Sequence, residues 1–507
     1  MRLHSPVTKI SGPPGTGKTT AQLKIVMDLL SGGTPPEKII FTTYTRAGAY
    51  EARDRAVVKF KMEPERFPNF TTIHALCYRR LGSRRVLSKE DMIEIGNRLG
   101  LRFTWQNPYS EDRPTITQKG DHFVQILALA RMKRISLQES HRDYTGVHVP
   151  FREFQRFVEF YNQYREHYRK IDFTDMMEIF LSENLQVEGD YLIVDEAQDL
   201  APLQWEIIKR ISEGVKRTFV SGDDDQCIHA WAGANPDTLI NLEGEHEILP
   251  RSYRIPKRVH ELAHNIISRV PKRLDKPYLP KEEEGKVTIL SSIREINLKA
   301  PGSWLLLTRN KFFGEALSEH CEKSGVLYSG GFKIGDMREA TQDAIIHWNL
   351  LTKGFQISGK KAKEVYRFLK TRDRVKYGLK KKLEEEVSDD EPIDIKRLRE
   401  DYGLLVCGGW EEAFMTLTPA LKAFFRSAEK ICKLDEPPRV RLSTIHGAKG
   451  QEADNVVVLP DMTYRTWHGY KFDRDNEHRV FYVAVTRAKK NLFLVKPETN
   501  KHYEIVI

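Results

Sequence analysis

Short apolar runs bounded by polar turns recur at both ends of the chain. Val7 to Ile10 opens the series, followed by "KIIFTT" (38–43), "YLIVDE" (191–196) and "RTFVSGD" (217–223). Later members are "VTIL" (287–290), "WLLLTR" (304–309), "RVRLST" (439–444), "NVVVL" (455–459) and "NLFLV" (491–495). Runs of Val, Ile and Leu without polar alternation have the pattern of parallel strands buried on both faces. Helical stretches separate them, so the pattern predicts an α/β protein with one lobe at each end of the chain. Two regions break the rhythm. Residues 86–172 read as mainly helical and are rich in Arg and aromatics, as in "FREFQRFVEFYNQYREHYRK". Residues 336–437 also read as helical, with a basic stretch (360–382) followed by the acidic "EEEVSDDEPID" (384–394). Such blocked charge reads as a solvated helix face and a mobile linker rather than a binding site.

Candidate chemistry starts at "SGPPGTGKTT" (11–20), where Gly12, Gly17, Lys18 and Thr19 match G-x-x-x-x-G-K-[ST]. A strand precedes it and a helix, Thr20 to Leu30, is predicted after it, which is the context a phosphate-binding loop needs. The backbone of Gly12, Pro13, Pro14, Gly15, Thr16 and Gly17 can then curl its N–H groups toward phosphate oxygens, with Thr20 just behind. Lys18 would reach the β- and γ-phosphates and the Thr19 hydroxyl would hold magnesium. "YLIVDEAQDL" (191–200) ends a buried strand in two carboxylates, Asp195 for magnesium and Glu196 to take a proton from attacking water. An ordinary acidic turn is the plainer alternative. In "VSGDDDQCIHAWAGA" (220–234), Gln226 is placed to sense a γ-phosphate or orient water. Trp231, flanked by small residues, is suited to stack on a base, although a core Trp would read the same way.

Composition narrows the partners. At 507 residues, three or four structural units are expected. No stretch approaches the roughly 18 unbroken apolar residues of a membrane span. The first apolar segment runs straight into the phosphate loop, unlike a secretory signal. Five cysteines are scattered without a C-x-x-C pair, which points away from disulfides and zinc and toward a reducing cytoplasm. A net charge of +10 suggests a polyanionic partner, most simply nucleic acid.

An ordered series of segments then resembles the superfamily 1 helicases of the UvrD/Rep/PcrA type. It comprises the phosphate loop, "FTTYTRAGAYEARDR" (41–55), "TTIHALCYRRL" (71–81), "IDFTDMM" (171–177), "VDEAQD", "GDDDQCIHAWAGA", "LPRSYRIPKRV" (249–259), "LSTIHGAKGQEADNVVVL" (442–459) and "RVFYVAVTRAKKNLFLV" (479–495). The resemblance implies two RecA-like P-loop NTPase lobes with ATP and Mg²⁺ in the cleft between them. Residues 1–85 and 173–249 would form the first, ATP-binding lobe, with 86–172 inserted as a helical domain. Residues 250–335 and 438–507 would form the second, with a reduced helical insertion at 336–437. Arg254 and Arg487 would reach the γ-phosphate from the second lobe, Glu452 would contact the ribose, and Tyr253 would stack on the base. Thr43, Tyr44, Arg46, His74, Trp231 and His446 would contact single-stranded DNA, with 3′ to 5′ polarity and action at single-strand/duplex junctions. Neither stacking nor phosphate contact needs a deoxyribose, so RNA stays open as a track. A monomer suffices for this cycle.

Some positions depart from the family. Eleven residues precede Gly12 and none is Gln, where relatives place a glutamine-containing adenine-reading segment. Thr20 and Ala232 stand where relatives carry arginine. Poor discrimination between ATP and other triphosphates is therefore expected. The compact length and short leading segment suggest a viral or mobile-element source, hence a host cytoplasm and association with the nucleoid. The competing readings are an ATP-gated DNA-binding switch or clamp without processive unwinding, and a small-molecule phosphotransferase. The paired arginines of a second lobe argue against the phosphotransferase.

Overall fold

The computed structural model describes residues 1–104, 118–144, 146–147, 149–332 and 337–506. Its frame is two six-stranded sheets in which every pairing is parallel. The first contains β1 (Val7–Ser11), β2 (Ile39–Thr42), β3 (Phe70–Thr71), β4 (Tyr191–Val194), β5 (Arg217–Gly222) and β6 (Glu245–Ile248), in the order β3-β2-β4-β5-β1-β6. The second contains β7 (Lys286–Leu290), β8 (Trp304–Thr308), β9 (Tyr328–Ser329), β10 (Val440–Thr444), β11 (Ala453–Leu459) and β12 (Ala488–Val495), in the order β9-β10-β8-β11-β12-β7. These are the two α/β lobes expected from the apolar runs, each of which forms a strand. β2 and β8, each flanked by strands on both sides, are buried at every residue.

The parallel register puts the C-terminal ends of neighbouring strands on one edge. Ser11 pairs with Gly222 and Thr42 with Val194, so the loops after β1, β2, β4 and β5 emerge together. In the second sheet Thr308 lies between Thr444 and Leu459, which aligns the loops after β8, β10 and β11. Ligands of open parallel sheets bind at such edges.

Between Val86 and Lys170 the helices Lys89–Leu99, Lys119–Lys133, Leu137–Arg142 and Phe151–Tyr168 enclose a core of their own around Phe123, Phe154 and Phe157. An ionic network fastens this unit to the first lobe. Arg131 donates to Asp172 at 2.7 Å, Asp175 at 2.5 Å and Glu178 at 2.5 Å, and Arg165 pairs with the same two aspartates. Arg131 and the two aspartates are mostly buried, so the network is screened little by solvent.

The helices between 338 and 429 pack differently. Trp348, Phe414 and Phe425 share one continuous core with Leu306 of β8 and Leu442 of β10. Here the acidic run corrects the expectation of a mobile linker. Val387 and Ile393 within it and Leu383 just before it are buried, and Ile393 pairs with Ile357 in a two-stranded ribbon. The acidic side chains are spread over the outside of this structure, with Lys363 reaching Asp389 and Lys381 reaching Glu385. Among the described residues no helix is long and apolar enough to cross a membrane.

Candidate functional site

The loop after β1 turns through two left-handed glycines, Gly15 (φ 77°) and Gly17 (φ 86°), into the helix Lys18–Ser31. Gly15 is required for a second reason. A Cβ there would lie 2.5 Å from the Cβ of Arg254 and 2.7 Å from Ser252 Oγ, because the second lobe's chain packs directly on the loop. Ser252 Oγ donates to Pro14 O at 2.9 Å and Tyr253 N donates to Gly15 O at 2.9 Å. Within the loop, Thr16 Oγ1 donates to Pro13 O at 2.9 Å. Lys18 Nζ donates to Gly12 O at 2.6 Å and Pro13 O at 3.3 Å. Burial pulls the Lys18 ammonium below its ordinary pKa, while Asp223, Glu196 and Asp195 act to keep it charged.

At the ends of β4 and β5, Asp195 receives Thr19 Oγ1 at 3.2 Å and Ser221 Oγ at 2.6 Å. Burial first, and the neighbouring Glu196 second, push the Asp195 carboxyl up to about 6. Two hydroxyls around a buried carboxylate form a hard oxygen donor set that suits magnesium. Glu196 takes a left-handed backbone (φ 52°), unusual for a non-glycine, and Gln198 donates to its carboxylate. Gln226 Nε2 donates to Asp223 at 2.8 Å, and its side-chain oxygen accepts from Arg487 Nη2 at 2.9 Å across the cleft.

Arg487 is fully buried, and its guanidinium falls to about 9 through burial and the proximity of Arg254. Arg254 Nε donates to Glu452 at 2.5 Å, so the residue expected at a ribose is engaged by an arginine here. Tyr253 is 76% exposed.

These side chains line one cavity of about 690 Å³. Gly15, Gly17, Lys18, Thr19, Thr20, Glu196 and Gln226 come from one side, and Tyr253, Arg254, Glu452 and Arg487 from the other. Around the whole lining, eight Lys or Arg side chains face three Glu, a balance that favours a polyanion.

Three of the expected track residues meet at one ring. Tyr44, Trp231 and His446 surround the ring of His229, at centroid distances of 4.6, 6.0 and 6.3 Å. Thr43 and His446 are buried and Arg46 is exposed. The His74 imidazole is held down to about 4 by burial and by Arg46.

His229 escaped the sequence reading although it lies two residues from Trp231, a spacing that was a usable signal. Its Nδ1 meets Asp199 Oδ1 at 2.8 Å. Asp199 also receives the Lys449 ammonium, which donates to Gln226 O at 2.8 Å. Burial opposes the ionised Asp199, but Lys449 and His229 keep its carboxyl below the usual range. A chain of polar contacts therefore runs from the ring cluster to the cleft.

A second missed group lies beside Gln226. Asp223, Asp224 and Asp225 bring their carboxylates within 4.8 Å of one another, a grouping of metal-site type. The Lys276 ammonium sits among them, 3.0 Å from Asp223 and 2.9 Å from Asp225 and in contact with Asp224. Arg273 forks onto Asp225 at 2.6 and 2.7 Å, and Arg479 Nε donates to Asp224 O at 3.0 Å. Burial opposes the charge on Lys276, but the three carboxylates raise its pKa well above the ordinary lysine value. The aspartates were visible in the sequence; their partner, some fifty residues away, was not. Lys276→Met is expected to cost about 3–5 kcal/mol, because it strands buried carboxylates. Urea denaturation measures this loss, and Lys276→Arg should recover part of it.

Comparison with known proteins adds the family. Residues 2–247 match the UvrD/REP helicase N-terminal domain and residues 333–499 match the UvrD-like helicase C-terminal domain. YjcD of Bacillus subtilis is 23% identical across 98% of this chain and 78% of its own length. The ATP-dependent DNA helicase PcrA of Leuconostoc citreum is 27% identical across 67% of this chain, which spans 50% of that protein. The ATP-dependent DNA helicase Rep of Buchnera aphidicola is 26% identical across 52% of this chain, which spans 42% of that protein.

Proposed function

Because the chain belongs to the UvrD/REP helicase family, we propose that it hydrolyses ATP in the interlobe cleft and uses the cycle to travel along and unwind DNA. The observation that carries this reading is the Arg487–Gln226 hydrogen bond. It joins the two lobes inside a basic cavity that also holds Lys18 and Glu196.

In this reading Lys18 leaves the carbonyls of Gly12 and Pro13 for the phosphates. Thr19 and Asp195 would hold magnesium, which when bound neutralises charge on the phosphate oxygens. Glu196 accepts the proton of the attacking water, and Gln226 orients that water. Arg254 and Arg487 stabilise charge on the transferring phosphoryl group. Arg254 sits close enough to disfavour the charge on Arg487, and an anion between them relieves that repulsion. Closure is thus tied to the γ-phosphate, and release follows its loss. Tyr253 is exposed at the cavity rim, free to stack on the base, while Glu452 exchanges Arg254 for the ribose. Tyr44, Trp231 and His446 grip single-stranded DNA, assisted by Thr43, Arg46 and His74. Movement is 3′ to 5′ and a monomer carries it out.

Steady-state ATP hydrolysis against single strands of increasing length tests the proposal. A rate that climbs with length and then levels off is the signature of a motor that walks before dissociating. A rate flat above the footprint length would replace the motor with a switch, and no stimulation would remove DNA as the track.

A further inference from the structure

The two helical insertions are joined to their lobes in opposite ways. The first has a core of its own, between Leu87 and Tyr164, and meets its lobe through the ion pairs of Arg131 and Arg165. The second shares its core with the lobe. Ile345 and Trp348 of its entering helix, Arg338–Thr352, and Phe424 and Phe425 of its last helix, Pro419–Glu429, belong to the cluster that covers one face of the second sheet. Leu306 of β8, Leu442 of β10 and Val457 of β11 supply that face, while Leu305, Leu307 and Val456 turn to the core on the other side.

The seam runs through both ends of the insertion. The chain leaves the lobe after β9 and returns at β10, and these strands pair with each other, Tyr328 beside Val440. Arg338, 1% exposed, lays its guanidinium 3.3 Å from the centre of the Tyr328 ring. It also donates to Tyr328 O and, at 2.7 Å, to Gly330 O. Phe424 meets the same ring edge-on at 6.4 Å. Gly325 ends the lobe helix Gly314–Ser324 so close to the last insertion helix that a Cβ there would sit 2.6 Å from the Ser427 Cβ. On the return path Leu434 O accepts from Gln342 at 2.8 Å, and Arg439 donates to Leu298 O at 2.6 Å.

We infer that residues 338–429 form a rigid arm of the second lobe, carried with it as one body rather than swinging on hinges of their own. Units joined by a small polar interface move against each other by default, and a large apolar interface removes that freedom. A swing here would uncover Tyr328 and Phe424 and strip the buried Arg338 guanidinium of its carbonyl partners. This union goes beyond the proposed function and does not depend on it. If the cleft closes as proposed, the arm turns through the same angle as its lobe, so bound nucleotide sets the position of the arm directly.

Single-molecule energy transfer on the full chain tests it. Cys407 on the arm is exposed and takes one dye. Lys299→Cys, at an exposed position of the second lobe, takes the other, and Cys432→Ser removes the partly exposed thiol. The expected result is one narrow efficiency peak that stays in place without ligand, with a non-hydrolysable ATP analogue, with oligothymidylate and at high salt. A shifted peak or a second population under any of these conditions overturns the inference. Hydrogen exchange of the unaltered protein gives a second reading. The amides of Ile345 and Trp348 are expected to be protected to within about tenfold of those in β8 and β10, because one core opens as one unit. A larger gap overturns the inference. Pairing Cys407 with Lys209→Cys, exposed on the first lobe, reports on the proposed function instead. A nucleotide-dependent shift in that pair supports cleft closure and its absence counts against closure, while the union of arm and lobe stands or falls on the first pair.

Discussion

Lys18→Ala is expected to reduce ATP hydrolysis to background. Lys18 is the cation that the first lobe places inside the phosphate loop, buried with its ammonium 2.6 Å from Gly12 O. The loop carbonyls and nearby carboxylates hold that ammonium where a β- or γ-phosphate would otherwise have only N–H dipoles to face. Losing one preorganised donor at a reacting anion costs roughly 10²–10³ in rate. Here the donor is a buried cation, so the loss should lie at or beyond the top of that range. Phosphate release under saturating nucleotide, with and without single-stranded DNA, measures it. The fold should persist, because removing a desolvated ammonium also removes the cost of burying it. Turnover within tenfold of wild type would place the triphosphate elsewhere.

Arg487→Ala is expected to leave nucleotide binding within a few-fold of wild type and to lower kcat by roughly 10³–10⁵, the range for an arginine that stabilises a transferring phosphoryl group. The split between binding and turnover is the diagnostic. Arg487 reaches the cavity from the second lobe and touches the first through the side-chain oxygen of Gln226. Its charge is opposed by burial and by Arg254, so the guanidinium gains most when negative charge builds between the lobes. Single-turnover hydrolysis and nucleotide titration give the two numbers. An intermediate rate for Arg487→Lys would show that charge alone recovers part of the effect and that fork geometry supplies the rest. Normal turnover by the alanine variant would refute a composite cleft.

The apolar runs were enough to find most strands because parallel strands buried on both faces have no polar alternation to blur them. The strands they missed have no such run. β3 and β9 are two residues long, and β6 reads "EHEI" with exposed charges. The acidic stretch misled for the opposite reason. Its composition suggested a linker, yet three apolar positions, Leu383, Val387 and Ile393, anchor it. At the cleft, local motifs named the residues but not their present partners. That Lys18 lies on its own loop carbonyls and Glu452 on Arg254 are facts of packing, which no spacing encodes. Lys276 was hidden because its importance comes from contacts about fifty residues away in sequence, whereas for His229 only the partner Asp199, thirty residues away, was hidden.

The lysine set among three aspartates has a further consequence, in how the protein responds to ionic strength. Mobile ions screen charges they can approach, over about 10 Å at 0.1 M salt. Lys276 is 1% exposed and its aspartates no more, so dissolved ions do not reach that pairing. Contacts to a nucleic acid backbone behave oppositely, since each phosphate neutralised releases counterions and weakens with added salt. Two electrostatic systems thus coexist under different rules. In the proposed function, added salt would loosen the grip on a strand and leave the Lys276 pairing between the lobes unscreened, so the protein would let go of its track without coming apart.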